Sequence, residues 1–377
     1  MVRVRKLAKR AGLVTVAVLV ALIAAEIAVR LTWSGPPGLY PPGLFVADRA
    51  AGFRLARGFE GRFETPAFDT AIVTNSRGFR DAEIGAKRTG VRRVLALGDS
   101  FAFGQGVEAE QAYPQVVEQL AAAAGDEIEV INAGVPGYGT AAAYALLREE
   151  APQLDPDQVV LGLYVGNDFR DNLHDKFGRL EARGGVLVPV FDGEPWLRRA
   201  AMALLSRWRT AQLAISKLAG GGPLAVSEEA ARQQVVASLP WHPGFGLAMV
   251  TEAWDADAQR AFEVTVGWLE RMRDLCRQRR CELLVVLLPG PEQYDDAYWR
   301  MLVGRYELDA GAYDRDKPNR ELGKSCAARG IRVLDLLGVF RERTQAAGRL
   351  QALYSDQHFN VAGHRLAAEQ ILATIGQ

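Results

Sequence analysis

The sequence predicts an α/β fold, in which helices cover both faces of a mainly parallel five-stranded sheet, preceded by one N-terminal transmembrane helix. From residue 91 onward, short runs rich in Val, Leu and Ile alternate with helical stretches. Because these runs are apolar on both faces, they indicate a parallel sheet in a three-layer sandwich. At the N-terminus, a long uncharged apolar stretch follows a basic cluster, which is typical of a membrane anchor.

The composition is that of a globular protein with a large core. The chain has 377 residues, of which 49% are hydrophobic and 24% charged, and this length exceeds one typical domain. Forty-five Lys and Arg balance forty-five Asp and Glu. This balance argues against a chain-wide basic surface for binding nucleic acid.

Residues 1–34 are expected to form a basic cytoplasmic start and a membrane anchor. Five Lys and Arg lie within the first ten residues, and no charge follows from Ala11 to Ala25. About 20 apolar helical residues span the hydrocarbon core of a bilayer. The basic flank should remain in the cytoplasm, so we expect everything after Trp33 to be periplasmic or extracellular.

A cleaved signal peptide is the alternative interpretation of this segment. It shares the basic start and the apolar middle. The apolar run is long for a signal peptide, and no strict Ala-x-Ala site follows between Ala17 and Gly35. A buried core helix would fit poorly beside five positive charges. We therefore predict an uncleaved anchor.

Residues 35–90 are expected to form a Pro-rich spacer followed by a small β-rich segment. Four prolines between residues 36 and 42 stiffen the chain as it leaves the membrane. Alternating runs follow around Phe53 to Phe63 and Ala71 to Thr74, and they predict short strands or hairpins.

Residues 91–377 are expected to form the main α/β domain. Its predicted strands are Val94 to Leu97, Ile128 to Ile131, Val159 to Val165, Leu283 to Leu288 and Ile331 to Leu336; its predicted helices include Ala109 to Ala124, Thr140 to Ala151 and Ala258 to Arg279. Residues 171–257 lack a clear core strand and contain a predicted helix from Trp196 to Leu218. This insertion is interpreted either as a lid or partner surface, or as a surface excursion without function.

The residues that follow the predicted strands indicate where chemistry takes place, because ligands of parallel sheets bind at the carboxyl ends of the strands. These residues are Gly98-Asp99-Ser100 after the first strand, Asn132 to Thr140 after the second, Gly166-Asn167-Asp168 after the third, and Asp356, His358 and Asn360 before the last helix. Each group alone has a structural alternative as a turn, a helix cap or a tight bend. Their occurrence in order on one edge favours a common site.

Together these residues provide what acyl transfer through an oxygen nucleophile requires. Ser100 would attack, and His358 would remove its proton. Asp356 would hold the imidazole in the required tautomer. The backbone N–H groups of Ser100 and Gly137 and the side-chain amide of Asn167 could stabilise the oxyanion.

These motifs resemble those of the SGNH (GDSL) hydrolase superfamily, in the order the family has them. The matching blocks are Val94 to Ser100 with the nucleophile, Asn132 to Gly137 with a backbone donor, Gly166 to Asp168 with the asparagine donor, and Asp356 to Asn360 with acid and base. The resemblance implies a flavodoxin-like sheet and hydrolysis of esters without a metal or organic cofactor.

One position departs from the family pattern. The family usually has aspartate three residues before the histidine, where this chain has Ser355. Asp356 lies two residues before His358, a spacing also seen in polysaccharide-acetylation members of the superfamily.

Other motifs carry less weight. Gly104 to Ala109 fits a dinucleotide fingerprint, but six residues separate it from the preceding strand, whereas its glycines should form the turn that leaves the strand. No serine meets the Gly-x-Ser-x-Gly elbow. Cys276, Cys281 and Cys326 form no CxxC pair, so a zinc site is not expected, whereas one disulfide is possible.

Two further groups of residues have open interpretations. Four tryptophans in the insertion could line a substrate cleft or serve in packing: Trp196, Trp208, Trp241 and Trp254. His364, on the last helix, is interpreted as a surface or capping residue.

We therefore predict a membrane-tethered SGNH-type serine esterase that acts on small O-acyl groups, such as acetyl, of envelope glycans or lipids. One alternative is an O-acyltransferase that moves the acyl group onto an envelope polysaccharide through the same acyl-serine. Another is a non-catalytic envelope module for binding or assembly. The complete set of nucleophile, base and donors argues against that second alternative.

Overall fold

The computed structural model describes residues 2–32, 40–173, 179–183, 186–190, 208, 210, 244–348, 352–355 and 357–376. Its strands are β1 (Phe45–Asp48), β2 (Gly52–Leu55), β3 (Glu60–Glu64), β4 (Asp69–Val73), β5 (Arg92–Leu97), β6 (Ile128–Asn132), β7 (Gln158–Tyr164), β8 (Arg179–Arg183), β9 (Val186–Val190), β10 (Glu282–Leu288), β11 (Arg332–Asp335), β12 (Tyr354–Ser355) and β13 (His358–Phe359).

Its helices are α1 (Val2–Thr32), α2 (Ser100–Phe103), α3 (Tyr113–Ala124), α4 (Thr140–Leu154), α5 (Asp168–Asp171), α6 (Gly244–Met249), α7 (Ala256–Arg279), α8 (Pro291–Tyr294), α9 (Asp296–Tyr306), α10 (Lys317–Ala327), α11 (Leu337–Ala347) and α12 (Val361–Ile375). Short 3₁₀ turns occupy Ala109–Gln111 and Ala310–Ala312.

A five-stranded sheet with the order β11-β10-β7-β5-β6 forms the centre of the fold. All of its pairings are parallel. Side chains alternate between its two faces, as the pleat of a strand requires: Leu95 and Leu97 of β5 belong to one apolar cluster, and Val94 and Ala96 belong to another. Helices α4, α7 and α10 cover the first face, whereas α3, α11 and α12 cover the second. The predicted three-layer α/β fold is confirmed.

The segment before the sheet forms two antiparallel hairpins, β1–β2 and β3–β4. Their apolar side chains do not form a separate core. Phe45, Phe53 and Ile72 are buried in the same cluster as one face of the central sheet, and Arg77 forms an ion pair with the buried Glu150 of α4. Residues 40–90 therefore stabilise the main domain directly.

Two elements differ in detail from the sequence prediction. The helix predicted from Ala109 begins only at Tyr113, because Ala112 is extended and Pro114 lies in the first turn of α3, a position that suits proline. The insertion, for which no clear strand was expected, contains the β8–β9 hairpin. The helix predicted from Trp196 to Leu218 lies outside the described residues, except for Trp208 and Thr210.

Helix α1 contains an apolar window, Gly12–Val29, with a mean hydropathy of 2.5 and no buried part. Its length and composition fit a membrane-spanning helix and equally fit a signal sequence. Near the end of this window, Glu26 Oε2 accepts hydrogen bonds from the N–H of Thr210 at 3.0 Å and from its hydroxyl at 2.7 Å. The insertion thus contacts α1.

The three cysteines are free thiols in the structure, and all are buried. Cys276 and Cys281 lie on either side of the end of α7, where the N–H of Cys281 donates to the carbonyl of Cys276 at 3.0 Å. Cys326 lies on α10 and packs in the same apolar cluster.

Candidate active site

The turn between β5 and α2 holds Ser100 at the carboxyl edge of the sheet. Gly98 has a φ of 150°, and a Cβ there would meet the carbonyl oxygen of Gly162 at 2.8 Å, so the turn requires glycine. Asp99 caps α2 by accepting a hydrogen bond from the N–H of Phe101 at 2.9 Å. Ser100 is the first residue of α2, and its N–H has no acceptor within the helix.

The β12–β13 hairpin brings His358 to the same edge. Tyr354 pairs with Phe359, and Ser355 pairs with His358. Gln357, at the turn of this hairpin, has a φ of 65°, which is uncommon for a residue other than glycine. The hairpin leads directly into α12, whose N-terminus is capped by the Asn360 side chain.

Ser100 and His358 are in hydrogen-bond contact. The Ser100 Oγ lies 2.8 Å from the His358 Nε2, and the serine is 8% exposed. The Phe101 ring lies 5.0 Å from the imidazole and 4.7 Å from the Phe359 ring. These apolar contacts hold the imidazole beside the hydroxyl. Such a geometry lets a histidine act as a general base toward a serine.

Asp356, the predicted acid, lies outside the described residues. Its neighbours in sequence, Ser355 at the end of β12 and Gln357 just before β13, are described.

The loop after β6 packs against α2 and contains Gly137. The N–H of Val135 donates to the Gly98 carbonyl at 3.0 Å. A Cβ on Gly134 would meet the Phe103 nitrogen at 2.3 Å, so glycine permits this close approach. Gly137 has a φ of 82°, a left-handed conformation that also favours glycine.

Asn167 lies in the segment after β7, the strand next to β5; it is buried and is the N-cap residue of α5. Its side-chain Nδ2 donates to the Asp171 Oδ2 at 3.0 Å. Its Oδ1 is buried and has no hydrogen-bond partner among the described residues. The structure thus places Ser100, Gly137, Asn167 and His358 on the elements predicted for them, and joins Ser100 to His358 directly.

Two buried carboxyl groups lie behind these residues. The pKa of Asp99 is raised to about 7, mainly by burial and also by the nearby Asp171, although hydrogen bonds from Phe101 and Asn167 oppose the rise. Burial also raises the pKa of Asp168 well above its usual range, although its Oδ2 accepts from the Tyr164 N–H at 3.0 Å. Burial therefore shifts the ionisation equilibrium of both acids toward the neutral form.

Arg80, a residue that the sequence analysis did not select, lies in the β-rich segment and supports the end of α2. It is 1% exposed. Its guanidinium donates to four backbone carbonyls, those of Ala71, Phe103, Gly104 and Val107, at 2.7–3.1 Å. Burial lowers its pKa to about 10. No local pattern marks such a role, because the four carbonyls converge only in the folded chain.

The expectation that His364 lies at the surface is wrong, but the capping alternative is consistent with the structure. The side chain is fully buried, and its Nδ1 accepts from the N–H of Tyr113, the first residue of α3, at 3.2 Å. The imidazole thus satisfies a free N–H at a helix start. Burial lowers its pKa to about 3, so His364 is neutral and structural.

The described tryptophans of the insertion have different surroundings. Trp254 donates to the Met249 carbonyl at 2.7 Å and packs 4.9 Å from the Phe262 ring, so its contacts are those of packing. Trp208 is 38% exposed. Trp196 and Trp241 lie outside the described residues.

The glycines of the dinucleotide-like stretch serve another purpose. Gly104 ends α2 in a left-handed conformation with a φ of 82°, so it does not form the turn that leaves β5. A Cβ at this position would meet the Ala112 side chain at 2.5 Å.

A comparison with protein families identifies the fold and the chemistry together. Residues 96–366 match the GDSL-like lipase/acylhydrolase family, a range that includes Ser100 and His358 and covers well over half of the chain. The chain belongs to this family. It is accordingly an SGNH-type hydrolase that acts on ester bonds.

Solved structures of acylhydrolases resemble the chain at low identity. A lipase/acylhydrolase from Enterococcus faecalis is 16% identical, with 76% of this chain and 95% of that chain covered and a TM-score of 0.39. A GDSL-like lipase from Bacteroides thetaiotaomicron is 11% identical, with 78% and 92% covered and a TM-score of 0.38. The acetyl xylan esterase AlAXEase is 13% identical, with 75% and 99% covered and a TM-score of 0.41. No curated protein matches the chain.

Proposed function

We propose that this GDSL-family hydrolase cleaves small O-acyl esters through an acyl intermediate on Ser100. The observation that carries the proposal is the 2.8 Å contact between the Ser100 Oγ and the His358 Nε2. A serine hydroxyl is a weak nucleophile unless a base accepts its proton, and this contact supplies that base.

In the first half-reaction, the Ser100 Oγ bonds to the ester carbonyl carbon while its proton passes to the His358 Nε2. The carbonyl oxygen becomes an oxyanion. The bond from carbon to the alcohol oxygen then breaks, and His358 returns the proton to the departing alkoxide. The products of this step are the free alcohol and acyl-Ser100.

In the second half-reaction, water takes the place of the alcohol. His358 accepts a proton from the water as its oxygen bonds to the acyl carbon. The bond to the Ser100 Oγ then breaks, the proton returns to that oxygen, and the carboxylic acid leaves. We assign to Asp356 the orientation of the His358 ring.

We assign the oxyanion donors to the N–H groups of Ser100 and Gly137 and to the Asn167 amide. The proposal is supported by their positions in the segments that follow the carboxyl ends of the neighbouring strands β5, β6 and β7. One such donor typically contributes about 10²–10³ in rate.

The location of the substrate is inferred from the N-terminus. We propose that residues 1–34 anchor the protein with its N-terminus in the cytoplasm, and that residues 35–90 and the hydrolase domain, 91–377 with its insertion at about 171–257, face the periplasm or the exterior. Basic residues precede the apolar window of α1, as the positive-inside rule requires. Envelope glycans or lipids that carry acyl groups such as acetyl are the substrates within reach.

Hydrolysis of p-nitrophenyl acetate by the purified full-length protein in detergent tests the proposal. Wild type should release p-nitrophenol, and Ser100→Ala should lower kcat by at least about 10³ because the acyl intermediate cannot form. Ser325→Ala, on helix α10, is the matched serine control and should leave the rate unchanged. Equal rates for wild type and Ser100→Ala would contradict the proposal.

A further inference from the structure

The β8–β9 hairpin of the insertion lies against the loop that contains Gly137. A Cβ on Gly137 would meet the Leu180 Cδ1 at 3.0 Å, the Phe53 ring at 3.6 Å and the Leu187 Cδ1 at 3.8 Å. Leu180 and Leu187 come from the two strands of this hairpin, whereas Phe53 lies on β2. All three side chains pack in the apolar cluster on the first face of the sheet. Apolar side chains from two segments outside the central sheet therefore cover Gly137.

Gly137 occupies the third position of a β-turn. The N–H of Tyr138 donates to the Val135 carbonyl at 3.1 Å, with Pro136 and Gly137 between them, and Gly137 has a φ of 82°. Proline at the second position and a positive φ at the third are typical of a type II turn. In a type I turn the third residue has a φ of about −90°, and the central peptide has the opposite orientation. The turn type thus determines the direction of the Gly137 N–H.

The two central residues of this turn do not select the turn type by themselves. Proline at the second position suits both type I and type II, and glycine adopts a positive or a negative φ about equally readily. Rotation of the Pro136–Gly137 peptide would interconvert the two types and leave the ends of the turn nearly in place. The contacts around the turn therefore decide which orientation this peptide keeps.

Hydrogen bonds fix both ends of the turn but not its central peptide. At the first end, the N–H of Val135 donates to the Gly98 carbonyl at 3.0 Å. At the other end, the buried Tyr138 packs its ring 5.1 Å from that of Phe53 and donates its hydroxyl to the Phe53 carbonyl at 2.5 Å. The Pro136–Gly137 peptide makes no hydrogen bond to a described residue. The Gly137 N–H is thus available to a ligand, and packing determines its orientation.

Leu180 makes the nearest of the packing contacts with Gly137, and β2 supports it. A Cβ on Gly52 would meet the Leu180 carbonyl oxygen at 2.7 Å, so the backbones of β2 and β8 lie close together at this point. Moving a packed side chain opens a void or displaces its neighbours, and both cost free energy. Leu180 therefore resists any rearrangement of the turn that would move Gly137 toward the hairpin.

We propose that Leu180, with Leu187 beside it, is a positioning residue that keeps the Pro136–Gly137 peptide in the type II orientation and thereby directs the Gly137 N–H toward the oxyanion. This inference rests on the proposed ester hydrolysis and on the proposed donor role of Gly137. The Leu180 side chain has no group that can stabilise a charge, so its effect on the rate must pass through the turn. The β8–β9 hairpin of the insertion then takes part in catalysis by supporting the site.

Kinetics of Leu180→Ala in the full-length protein, with p-nitrophenyl acetate as the substrate, test the proposal. Truncation leaves a void beside Gly137, so the turn can adopt other conformations. We expect kcat to fall roughly tenfold or more, a part of the factor of about 10²–10³ that a lost donor costs, and KM to change less than twofold. Leu180→Met refills the volume and should keep kcat within about threefold of wild type. An unchanged kcat in Leu180→Ala, or a loss that appears only in KM, would overturn the proposal.

Inhibition by phenylboronic acid separates a misdirected donor from a general loss of structure. A boronic acid that bonds to a serine oxygen becomes tetrahedral and places an oxygen where the oxyanion forms, so its Ki reports stabilisation at that position. In Leu180→Ala, Ki should rise by about the factor by which kcat/KM falls. The fraction of molecules that react with a fluorophosphonate should equal that of wild type, because Ser100 and His358 are unchanged. A smaller reactive fraction with an unchanged Ki would show a merely structural role and would overturn the proposal.

A second variant and a matched control complete the test. Leu187→Ala removes the longer contact from the other strand, so it should lower kcat by a smaller factor and raise Ki in parallel; this variant decides the question if Leu180→Ala does not fold. Leu308→Ala truncates another half-buried leucine, which packs in a separate apolar cluster with Leu302 and Val250, and should leave kcat within about twofold of wild type.

The possible failures can be distinguished. An inactive wild type that also fails to react with a fluorophosphonate would overturn the proposed function and this inference together. An active wild type, with both hairpin variants equal to it in kcat and in Ki, would overturn this inference alone.

Discussion

The Ser100 Oγ and the His358 Nε2 lie 2.8 Å apart, although 258 positions separate the two residues in the chain. The carboxyl end of β5 presents the hydroxyl, and the β12–β13 hairpin presents the imidazole. Phe101 follows Ser100 in sequence and Phe359 follows His358, and the centroids of these two rings lie 4.7 Å apart. The same apolar contact thus joins the two halves of the proposed catalytic pair.

His358→Ala should lower kcat for p-nitrophenyl acetate by at least about 10³, because the Ser100 proton then has no positioned acceptor. KM should change little, since the imidazole acts mainly on the chemical step. Steady-state kinetics measure the effect, and circular dichroism verifies the fold. A variant that retains more than a tenth of the wild-type kcat would contradict the assignment of the base.

Asp356 and Ser355 can be distinguished by single substitutions. If Asp356 orients the imidazole, Asp356→Asn should lower kcat by about 10²–10⁴, as expected when the imidazole is held in the wrong tautomer. Ser355→Ala, at the position where the family usually has its aspartate, should change kcat less than fivefold. The opposite ranking of the two kcat values would contradict the assignment of the acid.

Arg80→Met should destabilise the protein by at least about 3 kcal/mol, because four backbone carbonyls lose a buried donor. Urea denaturation measures the free energy of unfolding. Arg62→Met is the control in the same β-rich segment, since Arg62 is exposed and forms an ion pair with Asp69; it should leave the free energy of unfolding nearly unchanged. Equal stabilities for the two variants would show that Arg80 is dispensable.

His364 should make stability depend on pH in the mildly acidic range. Its pKa is lowered to about 3 by burial, so only the unfolded chain binds the proton as the pH falls below 6.5. This contribution is complete above pH 6.5 and is lost as the pH falls toward 3. Between pH 6.5 and 5.0 the loss amounts to about 2 kcal/mol.

The variant His364→Gln isolates this contribution, because a carboxamide oxygen can still accept from the Tyr113 N–H without titrating. Buried Asp99 has a raised pKa and makes the free energy of unfolding change with pH in the opposite direction. Its neutral form stabilises the folded state at low pH, and this contribution is lost as the pH rises from about 4 to about 7. Because both proteins contain Asp99, its contribution cancels when the unfolding free energy of His364→Gln is subtracted from that of wild type at each pH. Parallel curves of unfolding free energy against pH would contradict the prediction.

Local sequence patterns predicted the strands of the central sheet and the residues that lie at its carboxyl edge. Apolar runs such as Val94 to Leu97 specify strands buried on both faces, and the residues just beyond them then fall on one edge by the geometry of a parallel sheet. The pairing of Ser100 with His358 followed from this reasoning, and the motif resemblance strengthened it. The six residues between the first predicted strand and Gly104 likewise predicted that this glycine does not form the turn after β5.

Roles that depend on convergence in three dimensions were not predictable in the same way. Nothing near Arg80 in sequence indicates that four carbonyls will surround its guanidinium, and nothing near His364 indicates that its ring will face the start of α3. Asp171 is an intermediate case. Its position four residues after Asn167 is a local signal for a contact, but only the folded structure shows the hydrogen bond between the two side chains.

Labelling with a fluorophosphonate probe, followed by peptide mapping, tests the central claim most directly. The probe reacts with serine hydroxyls activated by a neighbouring base. The account predicts one modified peptide, with the label on Ser100, and loss of that label in His358→Ala. Labelling of another serine, or no labelling of a folded wild-type protein, would contradict it.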